Sequence, residues 1–194
     1  MPTPPTITYR PVTPSLCPDL EHLFGPKGAC AGCWCMWWRI PQGGKLWRET
    51  QGRKAKRSLK QLILKRKVYA VLAYADDEPV GWCTFGPRID FPRLQRVRAY
   101  TRDDIEKVWS IPCFFIHCDW RAKGLARGLL AEAIRLARKK GARIVEGYPV
   151  PLTRAGKRLP AAFSYTGPLA IFEEQGFRIV QRLSRFAPLV RKNL

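Results

Sequence analysis

The segment from Ile111 to Val150 constrains the fold more than any other, because two apolar runs flank an amphipathic one. Residues Ile111 to Cys118 form the first apolar run, and Ile144 to Val150 form the second. Between them, apolar residues recur at spacings of three and four until Gly141, as in a helix with one buried face. The segment therefore predicts a strand, a helix and a second strand, the order of a β-α-β unit.

The residues from Arg121 to Ala126 form a turn that opens the predicted helix. Ala122, Gly124 and Ala126 are small enough to let successive backbone N–H groups converge on one point, and Lys123 adds positive charge. A helix N-terminus with unpaired N–H donors attracts anions. The sequence contains neither GxGxxG nor GxxxxGK[ST], so the fingerprints of dinucleotide and nucleoside triphosphate binding are missing.

Two motifs resemble the GNAT superfamily of N-acyltransferases. Arg121-x-x-Gly124-x-Ala126 after an apolar strand resembles its acetyl-CoA motif, and the segment from Tyr165 to Phe177 resembles its last helix with a Gly-Phe exit. The resemblance implies a single-domain α/β fold over residues 1–194. Its mostly antiparallel sheet would be splayed at the cofactor strand and flanked by helices. A Cys- and Trp-rich, basic helical region at about residues 28–67 would lie on the acceptor side.

The resemblance also implies an activity, the transfer of an acetyl group from acetyl-CoA to a primary amine by direct attack in a ternary complex. No metal is expected to take part. By position in the family pattern, backbone of the cofactor strand would polarise the thioester, and the turn with the first helical residues would hold the pyrophosphate of CoA. The strand residues are Phe115, Ile116 and His117, and the turn residues are Arg121, Ala122, Lys123, Gly124, Leu125, Ala126 and Arg127. Trp34, Trp37 and Trp38 would form an aromatic wall for the acceptor.

Proton transfer leaves several candidates open. Glu146 and Tyr148 lie two residues apart on the second predicted strand and therefore share one face. Glu146 is the first candidate for the general base and His117 the second, although a paired strand carboxylate and a structural histidine are equally ordinary interpretations. Many family members carry a tyrosine as general acid where this chain has Phe172, so Tyr165, Tyr148 or solvent would supply that proton.

The net charge of +20, from 35 basic and 15 acidic residues, is extreme for 194 residues and indicates an anionic partner. CoA is one such partner, and an acidic acceptor would be another. A basic helical segment from Gly43 to Lys67 keeps a nucleic-acid- or ribosome-binding module as the main alternative function. A solvated surface that serves only solubility explains the charge equally well.

Cys30, Cys33 and Cys35 lie within six residues and resemble half of a soft-metal site. A closed zinc site needs four ligands, and no fourth ligand stands at a recognisable spacing. We therefore expect reduced thiols in an aromatic wall and no metal, with a metal- or redox-linked protein as the weaker alternative.

The cysteine usage also bears on location. Seven cysteines are an odd number, and the chain begins with a Pro- and Thr-rich stretch instead of a secretory signal, so we expect a cytoplasmic protein. No apolar run approaches the length of a membrane-spanning helix, which predicts no membrane association. We expect a monomer or a homodimer.

The remaining chain fits the same fold. We predict a strand at Ile7 to Thr13, a short helix ending at Gly25, and a hairpin of Val68 to Ala75 with Val80 to Gly86. The other predictions are loops at Arg88 to Tyr100 and Pro151 to Pro160, a helix from Pro168 to Gly176, and one last strand pattern at Phe177 to Val190. The acceptor is not revealed: a small amine, an antibiotic, a peptide N-terminus and a lysine side chain all stay open.

Overall fold

The computed structural model describes residues 3–41, 45–98, 100–151, 153–154, 157–158, 160, 163–182 and 188–194. The strands are β1 (Ile7–Pro11), β2 (Tyr69–Ala75), β3 (Glu78–Pro87), β4 (Val108–Ile116), β5 (Ile144–Gly147), β6 (Thr153–Arg154), β7 (Lys157–Arg158), β8 (Arg178–Arg182) and β9 (Pro188–Asn193). The helices are α1 (Cys17–Phe24), α2 (Lys45–Thr50), α3 (Arg53–Leu64), α4 (Arg93–Arg96), α5 (Leu125–Lys139) and α6 (Leu169–Glu174).

Seven strands form one mixed sheet in the order β1-β2-β3-β4-β5-β9-β8. Neighbours pair antiparallel except β4 and β5, which are parallel and joined through α5. The predicted α/β fold, with a mostly antiparallel sheet and flanking helices, is therefore confirmed. The short strands β6 and β7 form a separate hairpin.

A hydrophobic core lies on each face of the sheet. On one face α5 packs its apolar stripe, including Leu129, Leu130 and Ala133, against β2, β3 and β4. The other face of β2 and β3 is covered by α1, by α3 and by the Cys- and Trp-rich segment, which comprises residues 29–38. Gly128 lets α5 approach the sheet closely, because a Cβ atom there would collide with the Tyr9 hydroxyl of β1.

The sheet splays where β4 and β5 part. Val108 to Ile111 pair with Ile144 to Gly147, and β4 then continues to Ile116 beyond the end of β5. Pro112 explains the position of this change, because a proline has no N–H to donate to a neighbouring strand. Two residues further on, the Phe114 N–H donates to the Tyr165 carbonyl at 2.6 Å. A loop thus takes over from β5 as the neighbour of β4.

Several predicted boundaries are wrong in detail. The basic segment Gly43 to Lys67 contains two helices, α2 and α3, because Gly52 adopts a φ of +70° that no right-handed helix contains. The loop Arg88 to Tyr100 contains a 3-10 turn and α4, and the loop Pro151 to Pro160 contains the β6–β7 hairpin. The last strand pattern is two strands, β8 and β9, while residues 183–187 of it lie outside the described residues.

Within the described ranges no helix combines the length and the apolar character needed to cross a bilayer.

Candidate active site

A cleft of about 480 Å³ opens at the splay between β4 and β5. Its walls come from five parts of the chain: β3, β4, the turn before α5 with the first residues of that helix, the loop before α6, and the Cys- and Trp-rich segment with α1 and α2. The lining residues are Phe24, Ala29, Cys30, Ala31, Cys33, Cys35, Trp37, Trp38, Trp47, Trp82, Cys113, Phe114, Phe115, Ile116, Arg121, Ala126, Phe163, Ser164, Tyr165, Gly167 and Pro168.

The turn before α5 has left-handed residues and opens directly into the helix. Ala122 and Gly124 have φ angles of +60° and +82°, and Gly124 caps a 15-residue helix that begins at Leu125. The first N–H groups of such a helix have no partners inside it. Arg121 and Ala126 line the cleft, so the positive end of α5 meets the cleft directly.

The side chains of this turn are partly engaged. The Arg121 Nε donates to the Ile116 carbonyl at 3.1 Å, which ties the turn to the end of β4. Lys123 lies over the Trp120 ring, with its Nζ 4.7 Å from the ring centroid. The Arg127 guanidinium pairs with the Glu174 carboxylate of α6, with Nη2 and Oε1 2.8 Å apart. The charge of Arg127 is thus held between the two helices instead of pointing freely from the turn.

The backbone N–H groups at the end of β4 point alternately toward β3 and away from it. The Phe115 backbone faces its partner Trp82 on β3, and the His117 N–H donates to the Val80 carbonyl of β3 at 3.0 Å. Because strand backbone groups alternate, Ile116 has the orientation of Phe114, away from β3 and toward the splay. Of the three residues predicted to offer backbone donors, Ile116 therefore faces the cleft with its N–H, while Phe115 contributes its side chain.

Glu146 lies outside the cleft, in the paired half of β4 and β5. It is fully buried and forms ion pairs with Arg88 and with Arg191, whose Nε lies 3.1 Å from Oε2. Tyr148 donates to the same carboxylate, and its hydroxyl lies 2.7 Å from the Ser110 Oγ. The geometry favours the interpretation of Glu146 as a paired structural carboxylate over that of a general base.

The three other proton-transfer candidates occupy different environments. Tyr148 is fully buried, and burial together with Glu146 raises the pKa of its hydroxyl. His117 lies at the end of β4 with its Nδ1 3.5 Å from an Asp119 oxygen and does not line the cleft. Tyr165 lines the cleft, and burial, followed by the nearby Cys113 and Cys33, raises its pKa. Of the four predicted candidates, the structure brings only Tyr165 to the cleft.

Phe172, which stands where many family members have a tyrosine, belongs to the core. Its ring is fully buried, packs edge-on against Phe114 and Phe177, and occupies the space that a Cβ atom on Gly147 would need. This ring position has no opening to solvent. Phe172 is therefore a packing residue of α6.

Aromatic side chains form one wall of the cleft. Trp37 and Trp47 pack edge to face with their ring centroids 5.0 Å apart, and the Trp38 ring is tilted against that of Tyr165, with centroids 6.3 Å apart. Trp34 does not line the cleft: it packs on Phe24 in the core, with the Lys56 ammonium over its ring. The structure therefore brings Trp37 and Trp38, but not Trp34, to the cleft.

Four cysteines also line the cleft: Cys30, Cys33, Cys35 and Cys113. Burial raises the pKa of Cys33 to about 11, and a hydrogen bond with Cys35 together with burial raises the pKa of Cys113. The Cys35 sulfur accepts the Trp82 indole N–H at 3.2 Å. In the described part of the chain, three possible metal-ligand atoms lie within 4.8 Å of one another at His117, Cys118 and Asp119. The described cysteines of the cleft do not form such a group.

Sequence reasoning missed several lining residues. Trp47 was assigned to a basic helix, Phe24 to a core helix and Cys113 to a strand, and each reaches the cleft only through the packing of its element. Arg88 was assigned to a loop, but it is buried and holds Glu146. No local pattern signals these roles, because the partners lie 58 or more residues away or on other elements.

Comparison with known proteins identifies the family. The model of the acetyltransferase (GNAT) family matches residues 34–148, which is more than half of the chain. The chain therefore belongs to the GNAT acetyltransferase family. No curated protein sequence matches it.

Solved structures share the fold at low sequence identity. A putative acetyltransferase from Acinetobacter baylyi is 13% identical with a TM-score of 0.60, covering 100% of this chain and 95% of its own. YncA, a putative acetyltransferase from Salmonella typhimurium with its cofactor acetyl-CoA, is 14% identical with a TM-score of 0.56 and coverages of 97% and 94%. The PaiA N-acetyltransferase from Thermoplasma acidophilum in complex with coenzyme A is 14% identical with a TM-score of 0.54 and coverages of 97% and 99%.

Proposed function

We propose that this protein is an acetyl-CoA-dependent N-acetyltransferase that transfers the acetyl group to a primary amine bound in the aromatic part of the cleft. One observation carries the proposal: the splay between β4 and β5 joins the N-terminus of α5 to the Trp-lined wall in one continuous cleft. Membership of the GNAT family and the CoA complexes of structural neighbours support the same donor.

The residues present fit CoA in two respects. The positive end of α5, with Arg121 and the left-handed Gly124, suits a pyrophosphate, since N–H donors and charge converge there. The free edge of β4 at Ile116 suits the amides of the pantetheine arm, because its backbone has lost β5 as a partner. When bound, acetyl-CoA would supply the activated acetyl group.

The chain contributes positioning and polarisation to the reaction. The Ile116 N–H is directed toward the splay, where it would donate to the thioester carbonyl and stabilise charge on its oxygen. Tyr165 lines the same cleft. Its hydroxyl would donate a proton to the departing thiolate and regain one from solvent.

Calorimetric titration with acetyl-CoA and with CoA tests the donor directly. We expect saturable binding of both, competition between them, and release of CoA when a panel of primary amines is added. A protein that binds neither compound would refute the proposal. A protein that binds RNA but not acetyl-CoA would establish the nucleic-acid alternative instead, for which the exposed cations of α3 are the sequence evidence.

A further inference from the structure

The acceptor part of the cleft is notable for what lines it. Trp37, Trp38 and Trp47 contribute three indoles, and Phe24 packs its ring on Phe115 at the base. Among the described residues of the lining there is neither a carboxylate nor an imidazole, and the one charged side chain is Arg121 at the turn before α5. Such walls accommodate a flat apolar ring, and the described lining offers no carboxylate to neutralise a cationic chain.

The lining also bears on the protonation state of the amine. An aliphatic amine arrives at neutral pH as an ammonium ion, so it needs both a counter-charge and a general base before it can attack. Glu146 is held by Arg88 and Arg191 outside the cleft, and His117 does not line it. The thiols of Cys33 and Cys113 have raised pKa values and hold their protons. An amine that is already neutral avoids both requirements.

The remaining titratable groups of the described lining do not change this conclusion. Cys30 lies at the exposed rim. Burial raises the pKa of the Cys35 thiol, but hydrogen bonds from Cys113 and Trp82 lower it overall, and these two donors already occupy the Cys35 sulfur. Tyr165 is protonated at neutral pH and is therefore a donor. An amine bonded directly to an aromatic ring is uncharged at neutral pH because the ring delocalises its lone pair. We propose, on the basis of the function above, that the acceptor is an arylamine seated among Trp37, Trp38 and Trp47.

A second observation indicates which substituent the ring of the arylamine carries. The Trp38 indole N–H is buried without a hydrogen-bond partner, and the Trp38 side chain is 7% exposed in the cleft wall. Buried donors normally have an acceptor, so a ligand that displaces the atoms covering this N–H would provide one. A carboxylate or carbonyl on the ring of the arylamine would fill this role. The positive charge of Arg93, which lies over the Trp37 ring at 3.4 Å from its centroid, favours the carboxylate.

The reaction balances without any further reagent. The neutral aryl nitrogen forms a bond to the acetyl carbonyl carbon, the carbon–sulfur bond of the thioester breaks, and the nitrogen loses one proton to solvent. Tyr165 protonates the thiolate and is reprotonated from solvent. The products are an N-aryl acetamide and CoA.

The test compares amines that share a ring. Acetyl-CoA is supplied with 4-aminobenzoate, with aniline, or with 4-(aminomethyl)benzoate, and the amide product is quantified by chromatography. We expect kcat/KM for 4-aminobenzoate to exceed that for 4-(aminomethyl)benzoate by at least about tenfold at neutral pH, and that for aniline by about tenfold. The rate with 4-aminobenzoate is expected to stay flat from about pH 6 to 8, because no group of the amine titrates there.

Variants locate the binding site. Trp37→Leu should raise KM for 4-aminobenzoate about tenfold and leave the Kd for acetyl-CoA unchanged. Trp109→Leu is the matched control, since this indole packs on Tyr69 and Phe85 and does not line the cleft. Trp38→Phe keeps the ring but removes the donor, so it should bring 4-aminobenzoate down to the level of aniline. Thermal denaturation verifies that each variant is folded.

The outcomes separate the two proposals. Acetylation of aliphatic amines in preference to arylamines, with a rate that rises with pH, would overturn the arylamine inference and leave the acetyltransferase function intact. Equal rates for 4-aminobenzoate and aniline would overturn the role of the Trp38 donor. Failure to bind acetyl-CoA at all would overturn the proposed function itself.

Discussion

The two halves of β4 offer a direct comparison. From Val108 to Ile111 the strand pairs with β5, and the polar side chains there are buried and satisfied by one another. From Pro112 to Ile116 the strand has lost β5, and an apolar cleft takes its place, with the Ile116 N–H directed toward it and the buried indole N–H of Trp38 without a partner. The same strand thus carries a structural network in one half and the candidate active site in the other.

The difference shows why residue type alone does not locate a catalytic group. Glu146 and Tyr148 have the chemistry of a base and an acid, but they belong to the paired half, where Arg88 and Ser110 bind them. A buried carboxylate that holds an arginine stabilises the fold only as long as both partners are present. In the splayed half, the proposed reaction depends on the Ile116 backbone N–H, on Tyr165 and on the amine itself.

The largest expected effect comes from breaking the network in the paired half. Glu146→Gln leaves the buried Arg88 without its charge partner, so the free energy of unfolding should fall by about 3–5 kcal/mol. Urea denaturation followed by fluorescence measures this loss. Glu132→Gln, which removes a carboxylate that pairs with the exposed Arg135, is the matched control and should leave the unfolding midpoint unchanged. A stable Glu146→Gln protein that has lost only turnover would restore Glu146 as the general base.

A smaller effect is expected from the turn of the splayed half. Gly124→Glu places a negative charge at the N-terminus of α5 and a side chain at a φ of +82°, so the Kd for CoA should rise by about 100-fold or more. Gly141→Glu is the matched control: it has a φ of +88° at the other end of the same helix and open space around it. Calorimetry on both variants separates the loss of CoA binding from backbone strain. Equal losses in both would show that the turn does not hold the pyrophosphate.

Removal of the proposed acid should affect turnover alone. Tyr165→Phe keeps the ring that packs near Trp38 and removes the hydroxyl, so we expect kcat to fall about tenfold to 100-fold with little change in the Kd for acetyl-CoA. Steady-state kinetics together with calorimetry measure both quantities. Unchanged turnover would mean that solvent protonates the thiolate. The Tyr148→Phe variant provides the comparison, since that hydroxyl lies in the paired half and should affect stability more than turnover.

The smallest expected effect is on the pH dependence of stability, through Asp104 at the edge of the buried network around Glu146. A hydrogen bond from Arg191 lowers the pKa of Asp104 in the folded protein. A lowered folded pKa adds stability above the pKa of the unfolded chain, and that stability is lost as the pH falls through the folded value. Because Asp104 is largely solvated, Asp104→Asn should cost less than about 1 kcal/mol at pH 7. The difference should shrink toward a pH of about 3, which urea denaturation at both pH values would reveal.

Much of the fold was predictable because its signals are local. The strand, turn, helix and strand from Ile111 to Gly147 follow from periodicity and from small residues at the turn, and the family match agrees. The break at Gly52 was visible as a glycine, but only the structure shows its φ of +70° and the hydrogen bond from its N–H to the Gly32 carbonyl, which end one helix before the next begins. The cleft wall was predicted in part, since Trp37 and Trp38 line it and Trp34 packs in the core.

The sequence alone determined the strand, turn, helix and strand from Ile111 to Gly147 and the family to which the chain belongs, because each depends on residues close together in the chain. The tertiary structure decided which titratable side chains reach the cleft. Glu146 meets Arg88 from 58 residues away and Arg191 from 45, while Tyr165 reaches β4 only because Pro112 ends the pairing with β5. Such long-range contacts set burial and charge, and these in turn decide whether a carboxylate supports the fold or takes part in chemistry.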